Sequence, residues 1–307
     1  MDIFFVLSGY LISTLLIREF AESGGVRFRR FYLRRLIRLY PALILALVVL
    51  ALPGFLFAPS ALKYLIENLL ALTYLTPFAL QVSDGAAWAW RHTWSLGIEE
   101  AFYLVWPIVL VIAIRTVGRR ALMVLLGMIG LTILSIGVYS DLADVVPSLF
   151  IRTGGLFVGA CLALYLHHRP AGYSSPVIGW LGVFSIVLSV LSPMWVDLPE
   201  SAVVLTVLGS SALVAHLVGS RRSLLSRFLS LSPLTYIGRI SYELYLWHFP
   251  MLVIVAWALS SELRDVAFVA VPMAVVCSVA SHHVLAGRVD VWKKRISSPR
   301  TSGRHFA

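Results

Sequence analysis

The chain has 307 residues, of which 59% are apolar and only 13% charged, and its mean hydropathy is +0.88. Those proportions exclude an ordinary soluble domain and describe an all-α, polytopic transmembrane helix bundle. The net charge of +10 does not by itself point to nucleic acid, because membrane proteins gather Lys and Arg in their cytoplasmic loops.

The first apolar run, Met1 to Ile17, covers only about 25 Å of a roughly 30 Å hydrocarbon core, so it reads as a shortened span. No basic residue precedes it, which argues against a cleavable signal peptide. Arg18, Arg27, Arg29, Arg30, Arg34, Arg35 and Arg38 then form a dense basic loop. Arg27, Arg30, Arg34 and Arg38 recur at helical spacing, with Phe28, Phe31 and Leu39 between them. The cluster can act as a topology signal, as a lipid-headgroup patch, or as a dock where guanidinium forks grip the phosphates of a cofactor, and spacing does not choose among these.

Residues 40–58 form a span. Residues 62–80 carry Lys63, Glu67 and Asn68 in their first turns and Thr76-Pro77 near the far end, which leaves a short apolar core. If this segment lies at the interface without crossing, further spans fall near 94–114, 121–139, 150–167, 176–193, 199–218, 236–258 and 265–286. Of the 25 basic residues, only Lys63, Arg91, Arg152 and Arg264 then face outward and 21 face the cytoplasm. If the segment crosses, only 10 of the 25 lie inside. The positive-inside rule selects the first arrangement, with nine spans over residues 1–287 and a basic, disordered cytoplasmic tail over 288–307 that favours anionic lipid.

Cys161 and Cys277 each lie in an apolar segment, so neither a disulfide framework nor a metal site is expected. The stretch His92 to Pro107 places two carboxylates at the mouth of a membrane helix, where an ionisable group is normally paired or functional. Ser95, Glu99 and Tyr103 fall on one helical face, with Glu100 turned about 100° away. The alternative is that both acids mark the membrane boundary in water. In 236–258, Ser241, Tyr245 and His248 share a face, and Pro250 is expected to bend the helix beyond the histidine. An imidazole roughly 18 Å from the start of this segment is a catalytic or a structural candidate. Glu243 is expected to pair with Arg239, and His216, His282 and His283 to face water at inner helix ends.

Asp2 to Ile12, Phe31 to Pro41, His92 to Pro107 and Ile240 to Pro250, in that order and spacing, resemble the acyltransferase-3 family of integral-membrane O-acyltransferases. The resemblance implies a ten-helix bundle in a bacterial plasma membrane. It would take an acyl group, commonly acetyl, from cytoplasmic acyl-CoA and pass it to a hydroxyl of a cell-surface or lipid-linked saccharide. Acyl-CoA is then a donor substrate, with no tightly bound cofactor and no nucleic-acid partner. Arg35 and Arg38 match the family's phosphate-holding pair, with Arg34 beside them, and Glu99 and Glu100 match its paired carboxylates. His248 and Tyr245 would line the tunnel or donate to the oxyanion.

Gly97, Ala101 and Glu243 depart from the family pattern, which leaves the acceptor open. The resemblance also implies a helix before Asp2 bearing an Arg and a His that serves as general base, so the coding start is expected upstream of Met1. The competing readings are a transporter or flippase of lipid-linked sugars and an inactive truncated copy. No Gly-x-Ser-x-Gly elbow is present, which disfavours a serine acyl-enzyme. Epitope tags inserted in residues 18–38 and in residues 81–93 should report opposite compartments by protease protection; a shared compartment would overturn the charge-derived sidedness.

Overall fold

A computed structural model describes residues 1–79, 89–139, 151–167, 169, 174–191, 199–220 and 222–297, and these are helix and connecting turns with no strand among them. In chain order the helices are α1 Asp2–Ser23, α2 Phe28–Phe57, α3 Ala61–Leu72, α4 Thr76–Ala79, α5 Trp94–Thr116, α6 Gly118–Tyr139, α7 Gly154–Leu166, α8 Pro176–Leu191, α9 Pro199–Gly219, α10 Leu224–Leu229, α11 Ser232–Arg239, α12 Ser241–Leu259 and α13 Ala267–Ser297. A 3₁₀ turn, Arg91–Thr93, precedes α5. Among the described residues seven segments are long and apolar enough to cross a membrane, in α1, α2, α5, α6, α9, α12 and α13. The expected spans at 150–167 and 176–193 appear as the shorter apolar helices α7 and α8. The 62–80 segment folds as α3 and α4, 12 and 4 residues long.

Several boundaries differ from the sequence reading. Helix α1 runs six residues beyond Ile17, carrying Arg18 and Glu19 inside it, and ends where Gly24 takes a left-handed φ of 69° and returns its N–H to Phe20. Its 22 residues rise about 33 Å, a full span, because polar side chains are tolerated in a last turn that reaches the interface. The basic loop contracts to the turn before α2, so Arg29 to Arg38 are helical. The segment 236–258 breaks at Ile240 into α11 and α12, and α12 continues unbroken through Pro250. Helix also persists through Ser297, where an unstructured tail was expected from Arg288; residues 298–307 lie outside the described set.

The chain forms two compact units. Residues 1–26 and 95–235 make the first. There α1 packs along α7, and α8 along α9. Gly9 of α1 and Gly159 of α7 let the two backbones touch: a Cβ on Gly9 would overlap the Leu156 carbonyl, and one on Gly159 the Val6 carbonyl. Small residues serve here because helices in lipid associate by close packing, with no hydrophobic gain over lipid tails. Arg152 Nη1 grips both Asp2 carboxylate oxygens, at 2.8 and 3.1 Å, and Trp106 donates its indole N–H to Ser13 Oγ at 2.8 Å.

His216, expected to face water, is buried. Its Nδ1 donates to the Ser175 carbonyl at 3.1 Å and its Nε2 meets Ser223 Oγ at 2.9 Å, because the turns after α9 and before α8 fold over it. It is a satisfied structural histidine.

Residues 27–94 and 236–307 make the second unit. Its framework is α2, α12 and α13, each packed on the other two, with α3 running back along α2 so that Tyr64 meets Leu50 and Tyr74 meets Tyr40. Gly54 admits the Tyr64 ring onto α2, and the Tyr64 hydroxyl donates to the Leu50 carbonyl at 2.8 Å. Replacing Gly159 by Leu should drive α1 and α7 apart and lower the melting temperature of detergent-solubilised protein by several degrees, whereas Leu at the open Gly25 should change it little.

Candidate active site

The second unit builds a histidine pair from two segments distant in sequence. Residues 89–93 form a tight turn: the Thr93 N–H and hydroxyl both donate to the Trp90 carbonyl, at 3.0 and 2.7 Å. With the Thr93 proton so committed, the Thr76 hydroxyl is the donor in the 2.9 Å bond between the two threonines. The indole of Trp90 is fully buried, which anchors the turn, and His92 beside it is only 6% exposed. The His92 ring lies 5.2 Å from that of His248, edge to face, and is flanked by Tyr245, Phe249 and Trp90.

Helix α12 sets the other side. His248 Nδ1 lies 2.8 Å from the Tyr245 carbonyl and 3.1 Å from that of Leu244. A carbonyl only accepts, so Nδ1 carries the proton and Nε2 of the neutral ring carries the lone pair. The Tyr245 hydroxyl donates to the His92 carbonyl, which ties α12 to the turn. Both His92 ring nitrogens are buried without a well-formed hydrogen bond, although the Tyr245 main chain approaches the ring. His248 thus presents an Nε2 lone pair able to accept a proton, beside the buried ring of His92.

The site residues expected from sequence are distributed between the units. Tyr245 and His248 come together, with ring centroids 5.7 Å apart, as their spacing implied. Ser241 does not join them, since its hydroxyl turns back to the Gly238 carbonyl at 3.0 Å. The Tyr245 hydroxyl, bonded to the His92 carbonyl, holds the turn against α12.

Arg34 and Arg38 are exposed on α2 and Arg35 is half-buried. The Tyr242 hydroxyl donates to the Leu39 carbonyl at 3.0 Å, so the first turn of α12 abuts α2 just past Arg38. His248 stands six residues, or about 9 Å, further along α12. Glu243 meets His282 at 3.2 Å and not Arg239, because the break at Ile240 takes Arg239 out of the i−4 position.

In the first unit, Glu99 and Glu100 are half-buried on α5, and the Tyr103 hydroxyl donates to Glu99 Oε2 at 3.3 Å, which confirms the face deduced from spacing. Among the described residues no cluster of three His, Cys, Asp or Glu side chains could hold a metal ion.

His92 and Glu67 are the residues that sequence reasoning passed over. Glu67 shares the buried face of α3 with Tyr64 and Ala71, and an acid at that i, i+3, i+7 position was the available signal. Its Oε2 accepts the Ala89 N–H at 2.8 Å. Burial pushes its carboxyl up from 4.5 to about 7, against the opposing pull of the Ala89 and Trp90 N–H groups and of Lys63.

A family model described as an acyltransferase domain matches residues 1–283. Among curated proteins, the chain is 29% identical over 276 residues to the peptidoglycan O-acetyltransferase OatA of Listeria monocytogenes, an alignment covering 82% of this chain and 44% of that protein. It is 28% identical over 280 residues to the O-acetyltransferase OatA of Staphylococcus aureus, covering 83% and 46%. The chain thus spans less than half the length of these relatives. No solved structure matches it significantly.

The folded state binds the Glu67 proton more tightly than the unfolded chain does. Stability therefore falls as pH rises from about 4.5 through about 7, by on the order of 3 kcal/mol. Melting curves of the solubilised protein should show that decline across the same window, and Glu67→Gln should flatten it.

Proposed function

The chain belongs to the acyltransferase-3 family of integral-membrane O-acyltransferases, and from that membership we propose that it moves an acetyl group from cytoplasmic acetyl-CoA to a saccharide hydroxyl of the cell envelope. Peptidoglycan is the acceptor class named for the Listeria relative, and it is the class we adopt. The observation that carries this reading is the His248 imidazole, held in one tautomer beside buried His92, on a helix that abuts the Arg-bearing turn of α2. The chain crosses the plasma membrane nine times in this reading, with α3 and α4 entering beside α2 from the outer side without crossing. The arginines of α2 then face the cytoplasm, and Glu99 and Glu100 face outward.

Acyl transfer to a hydroxyl requires a base for the acceptor proton and a held thioester. Arg35 and Arg38, with Arg34 adjoining, grip the phosphates of the donor through charge-assisted hydrogen bonds. His248, in place of the histidine that the resemblance puts before Asp2, is the base in this reading: its Nε2 takes the acceptor proton as the hydroxyl oxygen attacks the thioester carbonyl. The C–S bond then breaks, and the imidazolium returns its proton to the departing thiolate. His92, edge-on to His248, sets the plane of that ring, and Tyr245 holds the His92 turn in place. Glu99 and Glu100, in the first unit, are carboxylates able to accept hydrogen bonds from sugar hydroxyls.

The test uses membranes from cells expressing the protein, acetyl-labelled acetyl-CoA and cell-wall saccharide. Ester transfer should fall about 100-fold or more in His248→Gln through turnover. In Arg35→Ala it should weaken about tenfold through KM for the donor, one lost phosphate contact being worth roughly 1.4 kcal/mol. Movement of a lipid-linked sugar across the membrane without ester formation would replace this reading with a transporter.

A further inference from the structure

The turn that presents His92 is pinned at both ends by the short helices α3 and α4, and neither helix enters the acyl-transfer steps above. At one end Glu67 Oε2 accepts the Ala89 N–H at 2.8 Å, and the Trp90 N–H engages the same carboxylate. At the other, Thr76 bonds Thr93 at 2.9 Å. Glu67 is only 6% exposed, and Trp90 not at all. Burying a carboxylate costs several kcal/mol unless its oxygens are occupied. Here they are occupied by main-chain N–H groups two and three residues before a histidine that lacks well-formed hydrogen bonds of its own. The His92 ring therefore takes its place from the backbone of the turn and from ring packing, and the backbone takes its place from α3.

We propose that Glu67 is a positioning residue for His92, and through it for the His92–His248 pair. This rests on the acyl-transfer reading only for its catalytic consequence; the geometric claim stands apart from it. The requirement is for an acceptor oxygen at this spot, so Gln can meet it and Ala cannot. The charge of the carboxylate is not needed. A wall that merely stabilised the fold would act on activity independently of His92, whereas a positioning residue acts through it.

Two measurements test this on the full chain. In detergent, with ¹³C,¹⁵N-labelled histidine, Glu67→Ala should move the His92 imidazole resonances and Glu67→Gln should leave them in place. In the transfer assay, Glu67→Ala should lower kcat about tenfold with donor KM unchanged, and Glu67→Gln should restore kcat to within about twofold. Adding Glu67→Ala to His92→Phe should cost nothing further, since residues that act as a unit are non-additive. Unmoved His92 resonances in Glu67→Ala overturn the proposal, as do fully additive losses or equal behaviour of the Gln and Ala variants. Shifted resonances in a protein that transfers no acyl group uphold the positioning role and sink the acyltransferase reading instead.

Discussion

The bond from the Tyr245 phenol to the His92 carbonyl determines where the two imidazoles meet. It joins a transmembrane helix to a turn more than 150 residues earlier in the chain. Main-chain carbonyls do the remaining work on α12, accepting the His248 Nδ1 proton and so choosing the ring nitrogen that stays basic. In a membrane protein such bonds carry more weight than in water, because few competing donors are present.

The two units solve their packing by different means. The first relies on backbone contact at Gly9 and Gly159, reinforced by the Asp2–Arg152 ion pair. The second relies on aromatic bulk: Tyr64 lies edge-on to Phe55 and to Trp257, and Trp90 is buried whole.

The helices α3 and α4 show how a segment too short to cross a bilayer can still be essential to a site. Helix α3 turns Tyr64, Glu67 and Ala71 inward and leaves Leu62, Leu65, Ile66 and Leu69 exposed, an apolar outer face that suits contact with lipid. Its inward acid then meets backbone N–H groups that have no helix of their own to satisfy them.

Composition and hydropathy determined the helical membrane architecture, and motif order determined the family, because both are written in local residue choice. Spacing alone also placed Glu99 with Tyr103, and Tyr245 with His248, since each pair lies within two turns of one helix. The true length of α1, the break at Ile240, the Glu243–His282 contact and the pairing of His92 with His248 were decided only by the tertiary structure. Each depends on a cap or on a partner far away in sequence. Helical periodicity orders residues along one cylinder and carries no information about which cylinder comes to lie beside it.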